Sequence, residues 1–356
     1  MWTARGMTAR GVLRLLAGAL RDEPDLVRGG AVCPRRSKMR HQAIAVIGGS
    51  GFIGSHLVNA LVEAGKDVRI ATRRRYNARH LTLLPIDVIE TDVSDPVALA
   101  AFVENADAVI NLVGTLNGGR GDPYGPGFAK LHVELPTKIV AACEGKGVHR
   151  LIHVSSLGAD PRGPSMYLRS KGDGEKAVHA STSLATTIFR PSVVFGPEDT
   201  FLNRFALLQR LFPIIPLAMP DAKFQPVFVG DVSKAIVNVL DLDAASGHTY
   251  ELGGPTVYTL EQLVQYCGEV IGRRARIVRL PDAFGRLQAL SFEMAPGVPV
   301  LTRDNLDSMK VDSVMTGPLA PELDIDPASI ETIAPLYLAD ASLRSRLNIF
   351  RASAHR

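Results

Sequence analysis

The sequence predicts an α/β fold, a doubly wound parallel sheet followed by a small, irregular C-terminal α/β cap. Two observations carry this. From Ala43 to Gly196, short apolar stretches alternate with segments whose apolar residues recur at helical spacing. Strands alternating with helices build a parallel sheet covered on both faces. After Gly196 the alternation loosens, and prolines and glycines thicken between Pro281 and Pro327. The chain thus divides into a basic arm over 1–40, a sheet domain over 41–240 and a cap over 200–345 interleaved with it.

Each element has its own signal. "AIAVIG" is a short apolar strand, and "GFIGSHLVNALVEAG" a helix with Phe52, Ile53, Leu57, Ala60, Leu61 and Ala64 in one stripe, stopped by Gly65. "DVRIAT" and "IDVIETDV" are the second and third strands, "PVALAAFVENA" a helix opened by proline, and "DAVINLVG" the fourth strand. "FAKLHVELPTKIVAACEGKG" reads as one helix kinked by Pro136, which cannot donate a backbone hydrogen bond. "VHRLIHVSS" is the fifth strand, "SMYLRSKGDGE" the helix after it, and "ATTIFRPSVVFG" the sixth. Beyond Gly196, "FLNRFALLQRLF" and "GDVSKAIVNVLDLD" are helical, with "KFQPVFV" a strand between them. "TYELGG" and "ARIVRLP" are strands, and "TLEQLVQYCGEVIG" is a helix opened by a Thr259…Gln262 capping box.

Composition narrows the function classes. The chain is 46% apolar and 21% charged, without repeats, as in soluble globular proteins. No stretch reaches the roughly 18 apolar residues that span a bilayer. "LLQRLFPIIPLAMP", from Leu207, is broken by Arg210 and three prolines. Cys33, Cys143 and Cys267 are too far apart for a disulfide framework or a zinc site, which fits a reducing compartment. Of 40 basic and 36 acidic residues, the arm holds 9 and 3, leaving 31 against 33 in the body. A body near −2 gives no argument for nucleic acid. The arm has three readings: an extension ahead of a start at Met39, an Arg-rich transit segment, or a basic anchor for a membrane or partner.

"VIGGSGFIG" sets Gly48-x-x-Gly51-x-x-Gly54 between a strand and a helix, the context in which a glycine triplet binds a dinucleotide. The first glycine permits the tight turn, the second lets backbone approach a pyrophosphate, and the third lets helix and strand pack closely. The N–H groups of Ser50, Phe52 and Ile53 then face the phosphates at a helix N-terminus. The second strand runs into "IATRRRYNAR", with no acid to bond an adenosine ribose. Arg73 and Arg74 there would instead bind a 2′-phosphate, so NADP(H) is expected over NAD(H). Asp92 and Val93, ending the third strand, are placed at the adenine edge. Leu112, Val113, Gly114, Ser155, Pro191 and Val194 stand at strand ends, where a Rossmann sheet binds its ligand.

The same rim carries Ser156, Tyr167 and Lys171. In a helix Tyr167 and Lys171 lie one turn apart on one face. A phenol has a pKa of about 10, and a neighbouring ammonium favours the phenolate. Ser156 is a donor for a substrate oxygen, and Lys171 a second contact to cofactor.

These motifs, with "NLVG", "VSS" and "RPSVVFGP", resemble the extended short-chain dehydrogenase/reductase family. "IHVSSLGAD", "YLRSKGDGEKAV", "FGPEDTFLNRFA", "QPVFVGDVSKAIVNVL" and "LTRDNLDSMKVDSV" further resemble the atypical branch containing the nucleotide-binding accessory subunit of respiratory complex I. That resemblance implies an NAD(P)-binding Rossmann fold, a tightly held NADPH, and either an oxidoreductase or epimerase-like site or a non-catalytic subunit stabilised by NADPH. It also implies a respiratory-complex or membrane-peripheral partner. The location implied is cytoplasmic and peripheral at the inner membrane, or the mitochondrial matrix. Members of that branch acting as complex I subunits often replace the serine retained here as Ser156. His132 stands where many extended enzymes place an asparagine, and is expected as a packed residue.

Overall fold

A computed structural model describes residues 41–297 and 299–339; the arm, and every reading of it, lies outside them. Seven parallel strands form the main sheet: β1 (Ala43–Ile47), β2 (Asp67–Thr72), β3 (Asp87–Glu90), β4 (Ala108–Asn111), β5 (Arg150–Val154), β6 (Ala185–Pro191) and, after four short strands, β11 (Thr249–Leu252). Their spatial order is β11-β6-β5-β4-β1-β2-β3. β1 lies between β2 and β4, with Ile47 opposite both Ala71 and Asn111. Strand order therefore reverses at β1, and the crevice beyond the carboxyl ends of β1 and β4 is where such sheets bind ligands.

Both faces are covered. Helix α1 (Phe52–Glu63) buries Leu57, Val58 and Leu61 on one face, together with Val232, Ile236 and Val239 of a later helix (Val229–Leu240). α2 (Pro96–Val103) and α3 (Leu135–Lys146) cover the other face with Leu99, Phe102, Ile139 and Cys143. α4 (Met166–His179) carries Tyr167 and Lys171. The cap contributes α5 (Leu202–Leu211), then the sheet-packed helix above as α6, α7 (Leu260–Val270), α8 (Asp282–Met294) and α9 (Arg303–Ser308). α7 opens on the expected capping box of Thr259 and Gln262. Two cap strands, β8 (Ile214–Ala218) and β13 (Arg276–Leu280), pair in parallel.

The boundaries differ from expectation in four places. The third strand stops at Glu90, so Asp92 and Val93 lie in the loop beyond it. The sixth breaks after Pro191, and β7 (Val194–Phe195) pairs with β10 (Val227–Phe228) instead. "KFQPVFV" is two short strands, because Pro226 has no N–H to continue a ladder: β9 (Lys223–Phe224) pairs with β12 (Tyr258–Thr259) and β10 with β7. The segment after Pro281 is more regular than its prolines suggest, since it holds α8 and α9.

The Pro136 kink is realised as a π-helical stretch, Ala129–Glu134, running directly into α3. In an α-helix the N–H of residue 136 would bond the His132 carbonyl, and proline has none. Gly174 of α4 packs against that carbonyl so closely that an added Cβ would stand 2.0 Å from it. The proline thus sets how α4 meets the helix carrying His132.

Candidate active site and dinucleotide cleft

At the crevice a cleft of about 380 Å³ opens. It is lined by Gly48, Ser50 and Gly51 after β1, Arg73 after β2, Asp92 and Val93 after β3, and Leu112, Val113 and Gly114 after β4. The glycine turn has the geometry its spacing predicts. Gly48 has φ +89°, open to glycine and strained for other residues. Gly51 is exposed at the N-cap of α1 and offers no side chain to the first free N–H groups. A Cβ on Gly54 would stand 2.3 Å from the Gly48 carbonyl oxygen, so helix and turn touch there as backbone. Phe52 and Ile53 stand outside the cleft lining: Phe52 packs its ring near Gly196, and Ile53 packs on the core.

The arginine stretch resolves into distinct roles. Arg73 lines the cleft, whereas the Arg74 carbonyl accepts from Thr72 Oγ1 at 2.9 Å as the chain enters a 3-10 turn. An acid missed by reading the second strand alone comes from the third: Glu90 accepts the Arg75 N–H at 3.0 Å. Asp92 accepts from the Ser94 hydroxyl and N–H at 2.7 and 2.9 Å, and these bonds hold its carboxyl below the usual range. Asn77, Ser94 and Lys130, not singled out from sequence, also line the cleft. Lys130 is signalled only once the π stretch is known to face it.

The other end of the rim is closed and internally bonded. Lys171 is buried, and its ammonium donates to the Val154 carbonyl at 3.1 Å. Burial lowers its pKa to about 8, with Glu175 opposing. A Cβ on Gly114 would lie 3.2 Å from Lys171 Nζ and 3.7 Å from His132 Nε2, so the loop after β4 rests directly on both side chains. His132 is a clamp: its Nε2 accepts the Thr115 N–H at 3.0 Å, which puts its proton on Nδ1, 2.8 Å from Ser170 Oγ. Ser170 in turn donates to the Tyr167 carbonyl at 2.8 Å. Burial, then the charge of Lys171, lowers the His132 pKa to about 2, so it is neutral at any working pH. The asparagine position is therefore filled by a packed histidine.

A second neutral histidine does related work. Asn111 Oδ1 accepts the Val113 N–H at 3.1 Å, which orients its amide to donate to His153 Nδ1 at 3.0 Å. Burial lowers His153 to about 3. Val113 and Thr115, on either side of Gly114, are thus each tied down by a buried neutral polar group.

Ser156 and Tyr167 lie side by side. Ser155 Oγ, at the carboxyl end of β5, is buried and without a hydrogen-bond partner among the described residues, whereas the buried Ser156 Oγ lies beside the Tyr167 hydroxyl. An orphaned buried hydroxyl costs about 1–3 kcal/mol, and a bound oxygen would relieve it. Burial pushes the Tyr167 phenol up, and the nearby Ser156 hydroxyl only partly offsets this. The fold therefore favours the phenol over the phenolate, because burial outweighs the hydrogen bond with Ser156. Pro191 and Val194 lie beyond the cleft lining, Pro191 beside the Ser156 loop through Leu157 N–H to its carbonyl at 3.0 Å. The N-terminus of α4 is held by Ser165, which caps Leu168, and by Asp304 of the cap, which accepts the Met166 and Tyr167 N–H groups at 2.6 and 3.1 Å.

A parallel sheet with a glycine turn at its switch point and a Ser, Tyr and Lys set on the same rim defines an NAD(P)-binding fold of the epimerase type. The chain belongs to the NAD dependent epimerase/dehydratase family, which matches residues 44–253. It is 33% identical, over 83% of its length and 79% of the relative, to the mouse protein NADH dehydrogenase (ubiquinone) 1 alpha subcomplex subunit 9, mitochondrial. It is also 30% identical to the ceramide reductase of Caulobacter vibrioides, over 67% of this chain and 74% of that protein. Among solved structures, MoeE5 in complex with UDP-glucose and NAD shares the fold, with a TM-score of 0.58 and 20% identity over 80% of this chain and 97% of that one.

Proposed function

We propose that this protein binds NADP(H) in the cleft and carries a reductase-type site for an unidentified carbonyl or alcohol. The observation carrying it is the partnerless buried hydroxyl of Ser155, with Ser156 beside Tyr167, at the carboxyl end of the sheet whose neighbouring strand ends line the cleft with Gly114 and Arg73. The residues fit a dinucleotide. The Gly48–Gly54 turn and the open N-terminus of α1 take the pyrophosphate, and Arg73 with Asn77 takes the 2′-phosphate. Asp92 and Val93 take the adenine, and Leu112 to Gly114, Ser155 and Lys171 the nicotinamide half. The bound nicotinamide supplies or accepts hydride. At neutral pH Tyr167 is a phenol, hence a proton donor to a carbonyl oxygen being reduced, with Ser156 as the second donor to that oxygen.

A second reading, an NADPH-stabilised subunit without turnover, is favoured by His132. Both of its nitrogens are committed, so it offers no exchangeable route from Tyr167 to solvent. The subunit relative supports this reading and, with it, a respiratory-complex partner at the matrix or cytoplasmic side of an inner membrane. The reductase relative supports the first.

The experiment combines ligand release and variants. Mass spectrometry of the nucleotide released from purified protein should find NADP(H). Lys171→Ala should weaken NADPH binding roughly tenfold or more, the worth of a charge-assisted hydrogen bond, while Tyr167→Phe leaves it nearly unchanged. NADPH oxidation with a carbonyl panel that vanishes in Tyr167→Phe establishes the reductase. Equal affinity losses in both variants would sink the arrangement.

A further inference from the structure

Arg73 and Asn77, the residues proposed for the 2′-phosphate, sit on one turn, and that turn is held from the neighbouring strand. β2 and β3 end side by side, with Thr72 opposite Glu90 and the Thr91 N–H donating to the Thr72 carbonyl at 2.9 Å. Beyond Thr72 the chain bends. The Arg74 carbonyl accepts from Thr72 Oγ1 and from the Asn77 N–H, each at 2.9 Å. The Arg75 N–H opens the 3-10 turn Arg75–Leu81, and the Arg74 side chain does not cap it. Glu90 Oε2 supplies the acceptor from β3, at 3.0 Å. Of these bonds on the turn, only the one to Glu90 comes from outside the segment 72–77. A carboxylate accepting a backbone N–H makes a charge-assisted bond, stronger than a neutral one.

Glu90 had another use open to it. It is exposed and ends the strand beside Arg73, Arg74 and Arg75, all exposed, which is the ordinary setting for a surface ion pair. Yet among the described residues neither Glu90 nor any of the three arginines makes an ion pair. Asp92, the other acid at this end, is engaged by the Ser94 hydroxyl and N–H. The guanidinium groups are thus left to a ligand while the backbone beneath them is fixed. Glu90 itself lies outside the cleft lining, whereas Thr72, Arg73 and Asn77 belong to it.

We infer that Glu90 is a positioning residue for nucleotide selection: it holds the turn that aims Arg73 and Asn77 and touches no ligand itself. The inference rests on the NADP(H) reading. Two effects of Glu90 oppose each other. Its charge repels a phosphate, but at an exposed site that repulsion is screened. Its bond sets the distance and angle at which a guanidinium can meet the phosphate, and such contacts depend on their supporting groups. The second effect wins. The test is fluorescence titration of NADPH and NADH against the full chain as wild type, Glu90→Ala and Glu90→Gln. Glutamine keeps an oxygen for the Arg75 N–H and removes the charge. Wild type should prefer NADPH roughly tenfold or more. Glu90→Ala should lose most of that preference through weaker NADPH binding, with NADH affinity and melting temperature near wild type. Glu90→Gln should keep the preference or exceed it. Equal wild-type affinities would remove the 2′-phosphate subsite, and the inference with it. A wild-type preference that survives in Glu90→Ala, or rises in both variants, would leave the subsite standing and overturn the part given to Glu90. Matching losses of NADPH and NADH affinity in Glu90→Ala would make Glu90 a support of the whole cleft and overturn it too. So would a loss in Glu90→Gln equal to that in Glu90→Ala, which would assign the effect to the charge.

Discussion

The rim of the cleft has two ends built on opposite physics. At the ends of β2 and β3, Arg73, Asn77 and Asp92 line an open cleft, and their chemistry is charge and hydrogen bonding available to a ligand. At the ends of β4 and β5, Lys171, His132 and His153 are buried, and their polar atoms are committed to one another or to backbone. Under the proposed function the open end selects the nucleotide, and substitutions there should leave the fold alone. The closed end holds the shape of the loop after β4, and substitutions there should appear first as lost stability and altered pH dependence.

The sharpest way to break that contrast is Gly174→Ala. An added methyl would meet the His132 carbonyl oxygen at 2.0 Å, and a carbonyl inside a helix cannot yield cheaply. Chemical denaturation should show a loss of about 3 kcal/mol or more, against less than about 0.5 kcal/mol for Arg73→Ala at the exposed end. A mild Gly174→Ala would mean that the α4 contact is loose.

Lys171 gives an alkaline signature. Its pKa falls from 10.5 to about 8 in the fold, so between those values the unfolded chain binds the extra proton. Stability attributable to Lys171 therefore rises as pH goes from about 8 to 10.5, by on the order of 3 kcal/mol. Wild type minus Lys171→Met, followed by melting temperature over that range, should show the rise. A flat difference would put the ammonium in water.

The histidines give a smaller effect at the acid end. His132 and His153 drop from 6.5 to about 2 and about 3, so below pH 6.5 the unfolded chain takes up protons that the fold refuses. Each costs about 2 kcal/mol by pH 5. In His132→Gln the loss of stability between pH 6.5 and 5 should be shallower by one proton, whatever the variant's stability at neutral pH. An unchanged slope would mean that His132 is protonated in the fold.

The open end was the more legible in sequence. Gly48, Gly51 and Gly54 declare themselves by spacing and flanking elements, and Arg73 by following a strand. At the closed end Tyr167 and Lys171 declare themselves by their interval in a helix, but the rest was not legible, because its logic is carried by contacts across the chain. Nothing near His132 announces that its partners are Thr115 and Ser170, or that Pro136 would be absorbed by a π stretch against Gly174. Nor does "RDNLDS" announce that Asp304 holds the N-terminus of α4. The ammonium of Lys171 was expected to lower Tyr167, and burial reversed that direction. Local sequence reports residue types and periodicity, whereas desolvation is set by the whole fold.

The central claim is that the open end selects NADP(H), and paired fluorescence titrations of NADPH and NADH against wild type and Arg73→Ala test it most directly. A charge-assisted bond to the 2′-phosphate predicts roughly tenfold or greater preference for NADPH in wild type. In Arg73→Ala that preference should shrink through lost NADPH affinity, with NADH binding unchanged. Equal affinities in wild type, or a preference that survives Arg73→Ala intact, would contradict the account.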